Sequence, residues 1–163
     1  MEMSTPAPVN IPRVDIHLGK FSQGCTVLLT ALAFLFNLPV LVLITAIIMA
    51  VSACVPAASP YRLLYRGIVV PSGLLKPRIV EDDPAPHRFA QAVGAVFLFA
   101  ASVVLFLTHA VTPGWALDLV VFVLAAINLF VGFCAGCFVY YHLGRLGILP
   151  KVRYEGGFHW RGV

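Results

Sequence analysis

The chain has 163 residues, of which 60% are hydrophobic and 11% charged, and its mean hydropathy is +0.94. Soluble domains average about 45–50% apolar and about 25% charged residues, so this composition excludes a disordered chain, a collagen-like chain and a secreted disulfide scaffold, and argues against a soluble globular domain. An integral membrane protein of one compact unit remains, with a net charge of +4 that position along the chain must explain.

Two apolar blocks dominate. Gly24 to Ala58 carries no charge, and Phe89 to Tyr141 carries only Asp118. A spanning helix takes about 20 residues, so each block suits two spans. In the first block Asn37-Leu38-Pro39 is a turn signal, with the proline suited to the first turn of a new helix. This predicts helices over about 22–37 and 39–56, only about 24 and 27 Å long at 1.5 Å per residue. A single tilted helix over 24–56 is the alternative, giving three spans. Val51-Ser52-Ala53-Cys54 also resembles a bacterial lipoprotein cleavage site, though it lies late in the chain.

Beyond the first block, Ser59 can cap a short helix that begins at Pro60. Tyr61-Arg62-Leu63-Leu64-Tyr65-Arg66 suits lipid headgroups, and Tyr140, Tyr141, His142 and Arg145 repeat the pattern. Glu81-Asp82-Asp83-Pro84 ends the central loop and starts the third helix. Spans over about 89–108 and 114–142 follow, separated by the break at His109, Thr112, Pro113 and Gly114. The predicted fold class is therefore all-α: a polytopic membrane protein with four transmembrane helices in two pseudo-repeated hairpins. It forms a single membrane domain over 1–163, with repeat 1 at about 15–70, repeat 2 at about 83–150 and a tail over 150–163.

All eleven basic residues lie before the first helix, in the central loop or after the last helix. With four spans those three segments share one side, which the positive-inside rule makes cytoplasmic. The expected location is the inner (plasma) membrane, multi-pass. This placement also explains the basic excess without nucleic acid as a partner.

The halves resemble each other. Lys20-Phe21-Ser22-Gln23 matches Arg88-Phe89-Ala90-Gln91, Cys54 matches Cys134, Tyr61 matches Tyr141, and Gly67-Ile68 matches Gly147-Ile148. Four motifs stand out: the basic-Phe-x-Gln entry, Ser59-Pro60-Tyr61, the run Asp83-Pro84-Ala85-Pro86-His87-Arg88-Phe89-Ala90-Gln91 and Gly132-Phe133-Cys134-Ala135-Gly136-Cys137, of which the last two are fairly specific in combination. With these motifs the chain resembles an uncharacterised family of small bacterial membrane proteins built on a domain of unknown function. The resemblance implies a four-helix membrane protein and no established activity. It also implies a thioredoxin-like or rhodanese-like cytoplasmic partner, since such proteins accompany some members.

Cys134 and Cys137 form a C-x-x-C pair near the cytoplasmic end of the predicted fourth helix, and Cys25 and Cys54 lie at a similar level. On a helix, residues i and i+3 have Cα atoms about 5 Å apart, within reach of a reversible disulfide. The functional reading is a thiol site that exchanges electrons or sulfur. Against it, a helix C-terminus disfavours a thiolate. The bland reading is close helix packing, with Gly132 and Gly136 flanking the pair. A zinc site would draw on the four cysteines with His142, but no soluble zinc-ribbon spacing is present. The sequence assigns no metal ligand and no cofactor.

Gln23 and Gln91 occupy equivalent helix starts, suited to headgroups. Asn128 reads as structural glue between helices. Asp118, one turn into the predicted fourth helix, reads as a cap or interface group, with His109 beside it. No Walker loop, nucleophile elbow, H-E-x-x-H or dinucleotide fingerprint is present. The leading function is an accessory membrane protein with a thiol relay at Cys134 and Cys137. The alternatives are a thiol oxidoreductase or sulfur-transfer component, and a small transporter or channel subunit. A homo-oligomer is left open.

Overall fold

The computed structural model describes residues 13–108 and 111–150. Apart from one two-stranded ribbon, its regular structure is helical. His109 and nearly all of the predicted tail lie outside the described residues.

A short strand, β1 (Arg13–Asp15), leads into α1 (Ile16–Leu35). Asp15 caps α1, its carboxylate accepting the His17 N–H at 3.0 Å. The helix starts six residues before the expected 22, because the apolar boundary marks the hydrocarbon layer and not the helix. At its far end Asn37 adopts φ 51°. The Leu38 N–H reaches the Ala33 carbonyl at 2.8 Å and the Asn37 N–H reaches that of Phe34 at 3.2 Å. This is a Schellman closure, with asparagine in the left-handed position. Pro39 then opens α2 (Pro39–Cys54), so the predicted turn is where the chain turns.

The loop that follows is largely helical. A 3₁₀ turn (Pro56–Ala58), α3 (Pro60–Leu64) and a π turn (Tyr65–Val69) run in succession. Pro60 is the first residue of α3, as expected, but Ser59 makes no capping bond. Its hydroxyl instead lies 2.7 Å from that of Ser52 on α2. The expected headgroup tyrosines turn inward: Tyr61, Tyr65 and Tyr140 are 5%, 1% and 6% exposed.

Strand β2 (Ile79–Glu81) pairs antiparallel with β1, Val14 opposite Val80. Asp83 then caps α4 (Pro84–Leu107), accepting the Ala85 N–H at 3.0 Å. The helix thus starts at the expected Asp83-Pro84 signal, five residues before the apolar span predicted over 89–108. It is followed by α5 (Val111–Val131) and α6 (Ala135–Arg145). The single helix expected over 114–142 is therefore broken. Gly132 adopts φ 75°, a conformation open to glycine and strained for residues with a Cβ, and the helix restarts after Cys134.

α1 packs on α2 and α5, while α4 packs on α2, α5 and α6. The interior is small and tight, with Ala33, Val42, Ala46, Leu98 and Ala101 fully buried, as close packing between membrane helices requires. The outer faces are apolar: Leu28, Val40, Val96, Val103 and Phe130 are exposed. Three helices, α1, α4 and α5, are long and apolar enough to cross a membrane, and α2 is apolar but has 16 residues. Asp118 is fully buried two turns into α5, and neither carboxylate oxygen has a hydrogen-bond partner among the described residues. It is not the helix cap that the predicted start at 114 suggested, because α5 begins at Val111.

Several contacts gather at one end of the structure: the β1–β2 ribbon, the loop helices and the start of α6 against α4. There Arg88 of α4 donates from Nε to the Ala53 carbonyl at 2.9 Å and from Nη2 to that of Cys54 at 3.3 Å. These carbonyls close α2, whose last turn has no basic residue of its own. Arg88→Ala is expected to destabilise the fold by about 1 kcal/mol and Arg88→Lys by less. Thermal unfolding in detergent, followed by circular dichroism, measures both.

Candidate functional site

The helix break builds the site. Cys134 is the N-cap residue of α6, and its Sγ accepts the Cys137 N–H at 3.2 Å. The pair thus lies at a helix N-terminus, not near the end of a long helix as expected. The electrostatic objection to a thiolate reverses with it, because the unpaired N–H groups of a first turn favour negative charge. The two sulfurs are at disulfide distance, with Cα atoms 5.2 Å apart. Cys134 is 4% exposed, whereas Cys137 is half-buried.

Gly136 explains how α6 reaches its neighbour. A Cβ at this position would collide with the Ala90 Cβ and come within 2.7 Å of its Cα. The glycine therefore lets α6 lie directly on the first turns of α4, and Phe89 meets Tyr140 edge-on with centroids 5.5 Å apart. The packing and chemical readings of the cysteine motif are joined here, since the close approach carries Cys137 to His87.

His87 stands in the second turn of α4. Its Nδ1 is 3.7 Å from Cys137 Sγ, and its Nε2 is 3.5 Å from Oδ2 of Asp82. The ligand atoms of His87, Cys134 and Cys137 all lie within 4.8 Å of one another. Neither His87 nor Asp82 was singled out from the sequence. His87 sat inside the quoted Asp83–Gln91 run, but 50 residues separate it from Cys137. The other candidates stay apart. Cys25 and Cys54 are free, and His142 meets Phe138 edge-on with centroids 4.3 Å apart.

A cavity of about 280 Å³ opens beside the pair, with Gln23, Ser59, Tyr61, His87, Gln91 and Cys134 among its lining. The two glutamines expected among headgroups face this space instead, and Asn128 also borders it. The Tyr61 hydroxyl lies 3.0 Å from that of Thr26. Burial pushes its pKa up to about 12, so it is a neutral group of the wall.

Apolar helices long enough to cross a bilayer, carrying exposed apolar faces, define a helical membrane protein. Residues 14–145 match a family described as a domain of unknown function (DUF4395), and the chain belongs to that family. No curated protein and no solved structure matches it.

Proposed function

We propose that the protein is a membrane-embedded thiol–disulfide exchange component whose working groups are Cys134 and Cys137. The observation that carries this reading is the cysteine pair at the N-terminus of α6, with Sγ of Cys134 accepting the Cys137 N–H. A thioredoxin-like protein is the proposed partner. In one direction, a partner thiolate attacks Sγ of the half-exposed Cys137 and the Sγ–Sγ bond breaks. Cys134 leaves as a thiolate held by the N–H groups of the helix start. The partner's second thiolate then attacks its own sulfur in the mixed disulfide, and Cys137 departs and takes a proton, with the adjacent imidazole of His87 as the carrier. The net change is two electrons from the partner dithiol to this disulfide, with one proton on Cys137 and the Cys134 sulfur kept as thiolate. A low-pKa leaving thiol speeds such steps.

We read the chain as crossing the membrane four times, with α2 as the shortest span at about 24 Å. The β1–β2 pairing and the contact of Arg88 with the end of α2 support an even number of crossings between residues 15 and 79. The basic loop then lies in the cytoplasm with the cysteines. Alkylation of native membranes with a mass-tagging maleimide, after growth under oxidising and under reducing stress, tests the function. Cys134 and Cys137 are expected to change from protected to labelled together. Labelling that is identical under both conditions overturns the reading.

A further inference from the structure

We infer that the reduced form of this site binds one zinc ion through Sγ of Cys134, Sγ of Cys137 and Nδ1 of His87. Two thiolates and an imidazole form a donor set that zinc prefers, and zinc has no redox chemistry of its own to interfere with the thiols. The spacing fits. With bonds of about 2.3 Å to sulfur and about 2.0–2.1 Å to nitrogen, a tetrahedral zinc holds such ligands about 3.6 Å apart, and His87 Nδ1 stands 3.7 Å from Cys137 Sγ. Reduction frees the two sulfurs to part to about 3.8 Å, the spacing of two thiolates on one zinc. A cysteine pair at positions i and i+3 of a helix start, with Cα atoms 5.2 Å apart, allows this by side-chain rotation alone.

The surroundings fit as well. Asp82 lies on the far nitrogen of His87, at 3.5 Å. A carboxylate in that place fixes the tautomer and orientation of a metal-binding imidazole. His87 and Cys134 both line the cavity, so a fourth ligand, water or a small anion, reaches the ion from there. Binding requires both sulfurs as thiolates and so displaces the proton from Cys137. A two-electron acceptor, such as another disulfide or diamide, takes two electrons from the pair as the Sγ–Sγ bond forms, which deprives the ion of both sulfurs and expels it. The ion therefore guards the dithiol against oxidation, and the redox state of the pair controls the ion.

The inference requires only the dithiol, not the exchange reaction proposed above. Cobalt(II), which takes zinc sites and reports its ligands by absorption, is the probe. It is added without oxygen to the full-length, reduced protein in detergent. One equivalent is expected to give thiolate-to-cobalt charge-transfer absorption with tetrahedral d–d bands, which one equivalent of zinc then displaces. Pre-oxidation with diamide is expected to abolish the signal. His87→Ala is expected to lose the tetrahedral bands, and Asp82→Asn to weaken binding about 10–100-fold. Exchanging Cys25 and Cys54 for serine leaves the spectrum unchanged. Absence of thiolate charge transfer in the reduced wild type overturns the inference, as does its survival in Cys134→Ser with loss in the Cys25 and Cys54 variants. No partner is present in this experiment. A protein that exchanges thiols but binds no cobalt sinks the metal site alone, and the converse sinks only the exchange reading.

Discussion

Cys134→Ser is expected to form a stable mixed disulfide with a thioredoxin whose single remaining cysteine is activated as a thionitrobenzoate. Cys137→Ser is expected to form roughly tenfold less. The asymmetry follows from the helix start. Cys134 is 4% exposed and faces the cavity, so a folded partner does not reach it. Cys137 is half-buried and has the His87 imidazole beside it to take its proton. Without Cys134 the neighbouring thiol that resolves the adduct is gone, so it persists on a non-reducing gel and vanishes with dithiothreitol. Both variants lose turnover of exchange, because each removes one half of the disulfide. Equal adduct formation by the two variants overturns the assigned order of attack.

Gly136→Ala is expected to cut exchange about a hundredfold, the loss that a displacement of about 1 Å produces at a reacting centre. It is also expected to destabilise the protein by about 1–3 kcal/mol through overpacking. The added Cβ meets the Ala90 Cα at 2.7 Å. Backbone does not swing aside as a flexible side chain does, so α6 must lift from α4 and take Cys137 away from His87. Ala90→Gly in the same chain reopens part of the space, at about 1 kcal/mol of helix propensity. The double variant is therefore expected to recover exchange relative to Gly136→Ala. Thermal unfolding in detergent and the exchange rate, measured on the single and double variants, check both effects. A double variant no more active than Gly136→Ala overturns the assigned contact.

What the sequence disclosed divides by physical range. Signals carried by neighbouring residues were readable: the turn at Asn37-Leu38-Pro39, the helix start after Asp83 and the long apolar stretches. Hydropathy, however, reports the lipid layer and not the hydrogen-bonded helix, so it places the start of α1 at 22 instead of Ile16, and only the Asp83-Pro84 signal marks the start of α4. The largest departure, the break at Gly132, is local. Gly132 lies in an unbroken apolar run, and nothing next to it signals a positive φ. Treating that run as one helix put Cys134 near a C-terminus and inverted the electrostatics of the pair. His87 was illegible for a different reason, since only the folding of α6 onto α4 brings it to Cys137. The tyrosines looked like surface anchors because an aromatic ring with one hydroxyl suits a headgroup layer and a buried wall alike.

The ribbon that joins Arg13–Asp15 to Ile79–Glu81 also sets an order of birth. Its first strand has no mate until the whole central loop has been made. The ground on α4 that α6 will cover, at Ala90 and His87, then stands open while residues 88–134 are added. At about 5–20 residues per second, that wait lasts several seconds. Cys134 and Cys137 therefore arrive last of the four cysteines, one turn apart, at a place already prepared for them. The loop closed between them is far shorter than any that reaches back to Cys25 or Cys54, so chain entropy favours each as the other's partner.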